Sequence, residues 1–493
     1  MKSWHINELF THWPDTGDLP LTEVSGLAMD SRLVEAGDLF VAVQGASDHG
    51  LDYAAAAALN GCAAIAYDPG QLGKHKIEEL SVPVLAIPGV ADRLGELASV
   101  FYGAPSEHML IAGVTGTNGK TSTAHFIAQA WHRLGNKAGF IGTIGAGLVD
   151  RLVEGTHTTP DAFSLQKTLY QCQQQDAGLV AMEVSSHALD QGRCETIQFD
   201  VGVFTNLSRD HLDYHGEMSA YEASKQRLFS HHAPRFAIIN ADDPVGRRWI
   251  DEFSDTLEVL SYSCRPGEAD ICAQILTPEN GGERFRLISP WGEGLVSTGL
   301  IGDFNVQNLL AVTGVLGVLG VRFPQILNQI EHMAAVPGRM VRLGGAAEQP
   351  IILVDYAHTP DALEKALQAL RIHTRGRLIC VFGCGGNRDK GKRPQMGAIA
   401  ERFADSVVVT SDNPRFEDAG EIISHVVEGM SQPADAYVEP DRALAIQWAV
   451  EQAGEEDVVI IAGKGNEQYQ QVGSRCINFS DEEQVRIALE KAA

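Results

Sequence analysis

The sequence has few of the features that mark secreted, disulfide-bonded or membrane-spanning proteins. Only 8 of its 493 residues are cysteines and none forms a CxxC pair, which argues against a disulfide framework or a zinc site. The first residues are polar and contain no apolar core of a signal peptide. The longest nearly apolar run, residues 309–321, is shorter than the roughly 20 residues that span a bilayer. We therefore expect a cytoplasmic protein in which this run is a buried helix.

Positive charge is also scarce. The chain has 38 Lys and Arg against 64 Asp and Glu, a net charge of −26. Such a negative surface disfavours nucleic acid and anionic lipid as partners. It leaves room for a small phosphorylated substrate, because a few basic side chains and backbone N–H groups can hold a phosphate locally.

Short apolar runs alternate with amphipathic segments along most of the chain. Such runs, rich in Leu, Ile and Val, lie at residues 109–114, 179–184, 201–205, 236–240, 351–355, 378–382, 406–410 and 457–462. Continuous apolar strands between helical patterns are typical of a parallel sheet covered on both faces. The sequence therefore predicts an α/β fold.

Two stretches that contain Gly and Pro suggest domain boundaries. Residues 101–107 precede the first of the strands above, and residues 335–338 follow the apolar run. A chain of this length is expected to form about three domains, at roughly 150 residues each. We expect them at residues 1–106, 107–336 and 337–493.

The strongest local signal is Thr115-Gly-Thr-Asn-Gly-Lys-Thr121, between a predicted strand and a predicted helix. Glycines let the backbone N–H groups approach phosphate oxygens, Lys120 supplies positive charge to them, and the Thr121 hydroxyl suits Mg²⁺. The usual pattern has glycine where this chain has Val114, so the loop is a variant. A glycine-rich turn without function is the alternative.

Candidate metal ligands follow two later strands. Glu183 ends one of them, where it fits either a Mg²⁺ ligand or a helix-capping residue. After the next predicted strand, at residues 201–205, the segment 210–215 combines two aspartates and two histidines, including His211. Such a concentration of imidazole and carboxylate groups indicates a functional site. Lys225 reads from the residues alone as a solvated helix lysine.

Taken together, these motifs resemble the Mur ligase family, the ATP-dependent amino-acid ligases of peptidoglycan synthesis. Further matching motifs follow in chain order at residues 302–308, 337–340, 354–363, 383–394, 412–415 and 463–467. The resemblance covers essentially the whole chain. It implies an α/β fold of three domains: a small N-terminal α/β domain that binds a UDP-sugar, a central P-loop ATPase with a mainly parallel sheet, and a C-terminal Rossmann-like domain that binds an amino acid.

The resemblance also implies a reaction. The D-glutamyl carboxylate of UDP-N-acetylmuramoyl-L-alanyl-D-glutamate takes the γ-phosphate of ATP, and the amine of meso-diaminopimelate then displaces phosphate from the acyl phosphate. Two Mg²⁺ ions and a carbamate, formed on Lys225 by CO₂, are implied. Separately, we expect a monomer without membrane insertion, and the net charge of −26 argues against a nucleic-acid partner. The alternatives are L-lysine as the added amino acid, a folylpolyglutamate synthase-like ligase, and a P-loop switch in which ATP drives motion.

The family pattern assigns four residues to catalysis: Lys120, Glu183, His211 and Lys225. Three of these, with Thr121, would hold the metal ions: Glu183, His211 and carbamylated Lys225. ATP would be bound by Gly116, Thr117, Asn118, Gly119, Lys120, Thr121, Ser122, Asn305, Asn308, Arg339 and Asp355. A helix cap is the alternative for Asn308.

The amino-acid pocket is implied at Arg388, Asp412, Asn413, Pro414, Arg415, Gly463 and Glu467. A guanidinium at Arg415 would pair with the distal carboxylate of diaminopimelate and repel the bare ammonium of lysine. The chain departs from the family pattern at Asn387, where aspartate is usual, and at Asn466, where histidine is usual.

The UDP-sugar-peptide is implied at Met29, Ser31, Ala46, Ser47, Asp48, His157, Thr158, Thr159, Ser185, Gln191 and Arg193. His157 stands where a typical relative has asparagine. Arg193 would pair with a carboxylate or pyrophosphate of this substrate. Without the resemblance, the N-terminal residues would read only as a strand and a turn.

Overall fold

Strands and helices alternate along most of the chain. The computed structural model describes residues 3–45, 48–71, 80–155, 157–276, 282–345 and 349–492. The segment before residue 107 contains these elements: β1 (Trp4–His5), α1 (Ile6–Leu9), β2 (Glu23–Val24), β3 (Gly26–Ala28), β4 (Asp38–Ala42), α2 (Ala54–Leu59), β5 (Ala64–Tyr67), β6 (Val84–Ala86) and α3 (Leu94–Tyr102).

The middle of the chain carries the phosphate loop. Its elements are β7 (Leu110–Thr115), α4 (Lys120–Arg133), β8 (Ala138–Gly142), β9 (Gly145–Leu148), α5 (Ala162–Gln174), β10 (Leu179–Glu183), α6 (Ser186–Asp190), β11 (Val201–Phe204), α7 (Leu212–His215), α8 (Met218–Ser230), β12 (Phe236–Asn240), α9 (Pro244–Phe253), β13 (Glu258–Ser263), β14 (Ile271–Ile275), β15 (Glu283–Ser289), β16 (Gly292–Thr298), α10 (Asp303–Val318) and α11 (Phe323–Glu331).

The last third again alternates strands with helices. Its elements are β17 (Val341–Gly344), β18 (Ile351–Asp355), α12 (Pro360–His373), β19 (Leu378–Phe382), α13 (Lys392–Phe403), β20 (Ser406–Val409), α14 (Ala419–Val427), β21 (Tyr437–Val438), α15 (Arg442–Gln452), β22 (Val458–Ala462), β23 (Tyr469–Val472), β24 (Arg475–Asn478) and α16 (Asp481–Ala492).

The chain divides into two compact units. The first unit contains residues 1–111, 137–180 and 184–199, and the second contains residues 112–136, 181–183 and 200–493. The domain boundaries expected at residues 106/107 and 336/337 stay a prediction.

The first unit contains a parallel sheet in the order β3-β4-β5-β6. Alternate residues of β4 point to opposite faces of this sheet. Leu39 and Val41 enter one apolar cluster, and Phe40 and Ala42 enter another. Burial of both faces is the usual condition of a parallel sheet. The antiparallel hairpin formed by β8 and β9 also belongs to this unit.

The second unit contains two larger sheets. In the first, hydrogen-bonded neighbours follow the order β16-β15-β14-β13-β12-β11-β7-β10, with parallel pairing from β7 through β14 and antiparallel pairing at β15 and β16. In the second, the order is β17-β18-β22-β19-β20-β21, and only β17 is antiparallel. Ligands of open parallel sheets bind beyond the carboxyl ends of the strands. The predicted phosphate loop follows β7, Asp355 ends β18, and the predicted amino-acid residues follow β19, β20 and β22.

The α/β fold predicted from the sequence is confirmed. The strands predicted at residues 236–240, 351–355 and 378–382 have those bounds. The other predicted strands differ by one residue at one end, except that predicted at 109–114, which is shifted by one residue. The apolar run at 309–321 lies largely in α10, where residues 308–317 are all buried. None of the helices in the described part of the chain is both long and apolar enough to cross a membrane.

Candidate active site

The phosphate loop connects β7 with α4, which begins at Lys120. Gly116 has a φ angle of +146°, and a Cβ atom there would lie 1.9 Å from the Thr205 hydroxyl oxygen, so that only glycine fits. The Lys120 ammonium donates to the carbonyl oxygens of Gly116 and Thr117 at 3.0 and 2.8 Å. Thr121 and Ser122 are buried in the first turn of α4. Strand, glycine loop and helix thus have the arrangement that the sequence predicts.

The segment after β11 holds the phosphate loop in place. The Thr117 backbone N–H donates to the Asn206 carbonyl oxygen at 2.8 Å, and the Ser208 N–H donates to the Thr117 hydroxyl at 2.9 Å. The Asn118 N–H donates to Asn206 Oδ1 at 3.0 Å. Asn206 and Ser208 are absent from the predicted site, because both residue types are common in turns. The feature of the sequence that could have indicated them is their position just before the Asp and His cluster at residues 210–215.

Lys225 on α8 is buried, with only 1% of its surface exposed. Its Nζ atom donates to the Gly116 carbonyl oxygen at 2.7 Å and lies 4.4 Å from the centre of the Tyr221 ring. Burial, together with the charge of Lys120, lowers the pKa of Lys225 well below its usual value, although Asp210 opposes the shift. The interpretation of Lys225 as a solvated helix lysine is therefore wrong. A lowered pKa favours the neutral amine, which is the form that reacts with CO₂.

Glu183 is the last residue of β10 and is 1% exposed. Burial lowers the pKa of Lys120, and the negative charge of Glu183 is the largest opposing contribution. The carboxylate therefore acts on the lysine of the phosphate loop. The helix-capping alternative for Glu183 is wrong, because the cap of α6 is Ser185, whose hydroxyl accepts from the Ala188 N–H at 3.2 Å.

Asp210 and His211 lie next to each other at the start of α7. The His211 Nε2 atom is 3.3 Å from Asp210 Oδ2. Burial alone would raise the pKa of Asp210, but the charges of His211, His358 and Lys392 outweigh it and lower that pKa to about 2. Burial, reinforced by Lys392, lowers the pKa of His358 to about 4. At neutral pH the aspartate is ionised and His358 is neutral.

Arg339 reaches the first turn of α4 from the turn before β17. One of its terminal nitrogens donates to the Thr121 hydroxyl at 3.0 Å, and its guanidinium carbon lies 4.1 Å from the centre of the Tyr356 ring. Asp355, at the end of β18, accepts the Met340 N–H at 2.8 Å, and burial raises the pKa of its carboxyl group. Arg339 and Asp355 are thus positioned by one turn beside the phosphate loop.

Asn305 and Asn308 lie on one side of α10. The Asn308 side-chain oxygen accepts from the Thr123 hydroxyl at 3.1 Å, and its amide nitrogen is 3.4 Å from Asn305 Oδ1. The helix-cap alternative for Asn308 is wrong, because α10 begins at Asp303 and continues past it to Val318. This pair connects α10 to the helix that follows the phosphate loop.

The residues predicted for the amino-acid pocket meet after β20 and β22. The Asn413 amide nitrogen donates to Glu467 Oε2 at 2.8 Å, and the buried Lys464 ammonium donates to the same carboxylate oxygen at 2.9 Å. Arg415 donates to the Gly386 carbonyl oxygen at 2.9 Å and has a φ angle of 54°. Pro414, Asp412 and Gly463 are buried in the same region, whereas Arg388 is exposed. Lys464 is absent from the predicted pocket, although it lies inside the matching motif at residues 463–467.

The described residues among those predicted to bind the UDP-sugar all belong to the first unit. Thr159, Ser185, Gln191 and Arg193 share one network: the Thr159 hydroxyl lies 3.2 Å from Ser185 Oγ, and Arg193 donates to the Thr159 carbonyl oxygen and to Gln191 Oε1, each at 2.9 Å. Thr158 shares a 3.1 Å hydrogen bond with Thr143.

The other predicted residues of this set lie elsewhere in the unit. Met29 is partly buried, Ser31 begins a short 3₁₀ helix, and Asp48 accepts from the Tyr53 hydroxyl at 3.3 Å. His157 is exposed. Ala46 and Ser47 lie outside the described residues.

Models of known protein families match most of the chain. Three family models match the chain: the Mur ligase family catalytic domain at residues 23–102, the Mur ligase middle domain at 114–316 and the Mur ligase glutamate ligase domain at 338–465.

Whole relatives and solved structures are similar over nearly the full length. A protein of Xanthomonas campestris pv. campestris (strain 8004), named UDP-N-acetylmuramoyl-L-alanyl-D-glutamate--2,6-diaminopimelate ligase, is 48% identical over 471 residues, 95% of this chain and 94% of the relative. A solved structure of a ligase of that name is 34% identical, with a TM-score of 0.67, and the match covers 99% of each chain. The MurF ligase of Thermotoga maritima in complex with ADP shares the fold, at 18% identity and a TM-score of 0.68 over 95% of this chain and 98% of that one. The chain belongs to the Mur ligase family.

Proposed function

We propose that this chain is the ATP-dependent ligase that adds meso-2,6-diaminopimelate to the D-glutamyl carboxylate of UDP-N-acetylmuramoyl-L-alanyl-D-glutamate, in peptidoglycan precursor synthesis. The single observation that supports this proposal best is the pair of lysine hydrogen bonds accepted by the Gly116 carbonyl oxygen. The partly buried Lys120 and the buried Lys225 donate to this oxygen at 3.0 and 2.7 Å in a chain 48% identical to a ligase of that name. A phosphate loop alone would fit many nucleotide-dependent proteins, whereas a second, buried lysine on its backbone fits a ligase.

The first step is transfer of the γ-phosphoryl group from ATP to the D-glutamyl carboxylate, which gives an acyl phosphate and ADP. The two reactants repel each other because both are anionic. Lys120 is the first residue of α4, and Arg339 contacts the first turn of this helix through Thr121. Their positive charges offset this repulsion and the charge that develops on the phosphoryl oxygens.

The donor set beside the phosphate loop fits Mg²⁺. The Thr121 hydroxyl, the Glu183 carboxylate and His211 are suitable ligands, and a carbamate on the buried Lys225 would turn an amine into an oxygen donor. Among the described residues, no cluster of three or more His, Cys, Asp or Glu side chains is suited to a metal. Bound Mg²⁺ supplies positive charge to the phosphate oxygens. We propose two ions and the Lys225 carbamate.

The second step is attack of the diaminopimelate amine on the acyl carbon, with loss of phosphate from a tetrahedral intermediate. Arg415 and Arg388 suit carboxylates of the amino acid, and Glu467 suits an ammonium group. The Glu467 carboxylate is fixed by Asn413 and Lys464 at 2.8 and 2.9 Å, so its position is set before the substrate binds.

The UDP-sugar-peptide is proposed to bind in the first unit, at the network of Thr159, Ser185, Gln191 and Arg193. The Arg193 guanidinium is its cationic member and suits a carboxylate or pyrophosphate of the substrate. ATP and a UDP-linked substrate also suit the cytoplasm, which we propose as the compartment, and we propose a monomer.

An omission series tests this function. Phosphate release is measured with ATP, Mg²⁺, the UDP-sugar-dipeptide and diaminopimelate, and then with each substrate left out in turn, while mass spectrometry follows the UDP-sugar product. A ligase releases phosphate continuously only in the complete mixture and forms the UDP-tripeptide. Phosphate release from ATP alone would indicate a switch, and release with a folate and glutamate would indicate the folylpolyglutamate alternative.

A further inference from the structure

A fully buried ion pair lies behind the amino-acid pocket. Arg442 is the first residue of α15 and Asp481 the first residue of α16, and neither side chain has any exposed surface. Arg442 Nε donates to Asp481 Oδ1 at 2.7 Å, and a terminal nitrogen of Arg442 donates to Asp481 Oδ2, also at 2.7 Å. Burial of two charges is costly unless the remaining hydrogen-bonding groups are also satisfied.

The rest of the guanidinium is satisfied by two backbone carbonyl groups. One terminal nitrogen of Arg442 donates to the Ala462 carbonyl oxygen at 3.0 Å, and the other donates to the Ser411 carbonyl oxygen at 3.3 Å. A planar guanidinium can serve three acceptors in fixed directions, whereas a lysine ammonium in the same place is a single point of charge.

The two carbonyl groups belong to strand ends that do not pair with each other. Ser411 follows β20 and Ala462 ends β22, and β19 lies between these strands in the sheet. The sheet ladder therefore fixes their separation only through a third strand. Arg442 bridges them directly.

Each bonded carbonyl group lies one residue before the predicted pocket. Asp412 follows Ser411, and Gly463 follows Ala462. The two segments approach so closely that a Cβ atom on Gly463 would lie 2.8 Å from Asp412 Oδ2. Just beyond them, Asn413 and Glu467 meet at 2.8 Å. A small change in the separation of the strand ends would thus separate the groups that hold the amino acid.

We propose that Arg442 and Asp481 are positioning residues for the incoming amino acid: the pair sets the separation of residues 412–413 from residues 463–467, and so the affinity for diaminopimelate. The proposal rests on the proposed function. It predicts an effect on the amino acid that is separate from binding of ATP or of the UDP-sugar.

A second ion pair at the other end of the same strands provides a control, although Arg377 is half exposed where Arg442 is buried. The Arg377 N–H and guanidinium donate to the Asp457 carboxylate at 2.6 and 2.8 Å, just before β19 and β22 begin. This pair also joins two strands through a guanidinium, but at the ends of the strands away from the pocket. Its loss would change stability without moving residues 412–413 or 463–467.

The experiment compares Arg442→Lys and Asp481→Asn with Arg377→Lys and Asp457→Asn in the full-length enzyme. The kcat, the KM for each of the three substrates and the melting temperature are measured for all four. We expect Arg442→Lys and Asp481→Asn to raise the KM for diaminopimelate about tenfold, the equivalent of one charge-assisted hydrogen bond. The KM for ATP should stay within about twofold in all variants.

The possible results distinguish failure of the positioning role of Arg442 and Asp481 from failure of the proposed ligase function. An unchanged KM for diaminopimelate in the Arg442 and Asp481 variants, or an equal rise in the control variants, would overturn the proposal. Failure of both Arg442→Lys and Asp481→Asn to fold, with folded controls, would make the pair purely structural and overturn it as well. A wild-type enzyme that releases no phosphate in response to diaminopimelate would instead overturn the proposed function.

Discussion

The ammonium group of Lys225 donates a hydrogen bond to the carbonyl oxygen of Gly116 at 2.7 Å, inside the phosphate loop. The Lys120 ammonium donates to the same oxygen at 3.0 Å. Two lysines so close together, one buried and one partly buried, disfavour two full positive charges. A carbamate on Lys225 would replace one of these charges with a negative one.

Carbamylation of Lys225 gives the first prediction. Enzyme supplied with ¹³CO₂ should show a carbamate carbon signal in NMR spectra, and Lys225→Met should lack that signal and lose at least about 100-fold in kcat, as expected for a lost metal ligand. The exposed Lys137, paired with Asp176 on the surface, provides the control Lys137→Met, which should be unaffected. Full activity of Lys225→Met would contradict the assignment.

The charge of Lys120 gives the second prediction. Lys120→Ala removes a cation from the phosphoryl-transfer site, and kcat should fall about 100- to 1000-fold, by analogy with the loss of one preorganised donor. Calorimetry should show that binding of the UDP-sugar-dipeptide is retained, since we propose Lys120 for the ATP site and not for the UDP-sugar site. Near-normal turnover by this variant would exclude phosphoryl transfer at the loop.

The backbone of the phosphate loop gives the third prediction. In Gly116→Ala the new Cβ atom would meet the Thr205 hydroxyl at 1.9 Å and oppose a φ angle of +146°. ADP affinity, measured by calorimetry in the presence of Mg²⁺, should fall at least about tenfold. Gly299→Ala, where no atom lies within 4 Å of the new Cβ, is the matched control and should bind ADP normally.

The buried contact between Glu283 and His373 gives the fourth prediction. Glu283 Oε1 accepts from the Gly302 N–H at 2.9 Å, at the start of α10, and lies 3.1 Å from His373 Nε2. Glu283→Ala leaves both partners without this acceptor, so the free energy of unfolding should fall by about 1–3 kcal/mol. The exposed pair of Arg235 and Glu258 provides the control Glu258→Ala, which should change it by less than about 1 kcal/mol.

The same carboxylate gives this prediction a pH dependence. Burial would raise the pKa of Glu283, but hydrogen bonds from His373 and Gly302 outweigh burial and lower it. A lowered pKa contributes stability above the ordinary value for glutamate and loses it as the pH falls through the folded value. Denaturant titrations should therefore show the wild type losing its advantage over Glu283→Ala at acidic pH. A stability difference that is constant with pH would contradict this origin.

Arg415 gives the fifth prediction. In Arg415→Ala the pocket lacks the guanidinium proposed for the distal carboxylate of diaminopimelate, so kcat/KM for this amino acid should fall at least about tenfold. The KM for ATP should not change. Unchanged diaminopimelate kinetics would remove Arg415 from the pocket.

Much of the second unit could be predicted from the sequence. The strands at residues 236–240, 351–355 and 378–382 have the predicted bounds because each is a continuous apolar run buried on both faces. The phosphate loop was equally visible, since its glycines and lysine are contiguous in the chain.

Other features could not be read from local sequence. A lysine on a helix is usually solvated, and only the packing of α8 against the phosphate loop buries Lys225. The ion pair of Arg442 and Asp481 joins residues 39 positions apart, and the positioning role that we propose for it depends on β19 lying between β20 and β22. Such features follow from strand order, which periodicity does not specify.

The most direct test of the account is the choice of amino acid by the wild-type enzyme. Phosphate release is measured with ATP, Mg²⁺ and UDP-N-acetylmuramoyl-L-alanyl-D-glutamate, with meso-diaminopimelate or L-lysine as the acceptor. We predict rapid release with diaminopimelate and almost none with lysine, because the guanidinium that we propose for the pocket, Arg415, would repel a bare ammonium. Equal or faster release with lysine would contradict the assignment of the pocket, and no release with either amino acid would contradict the proposed function.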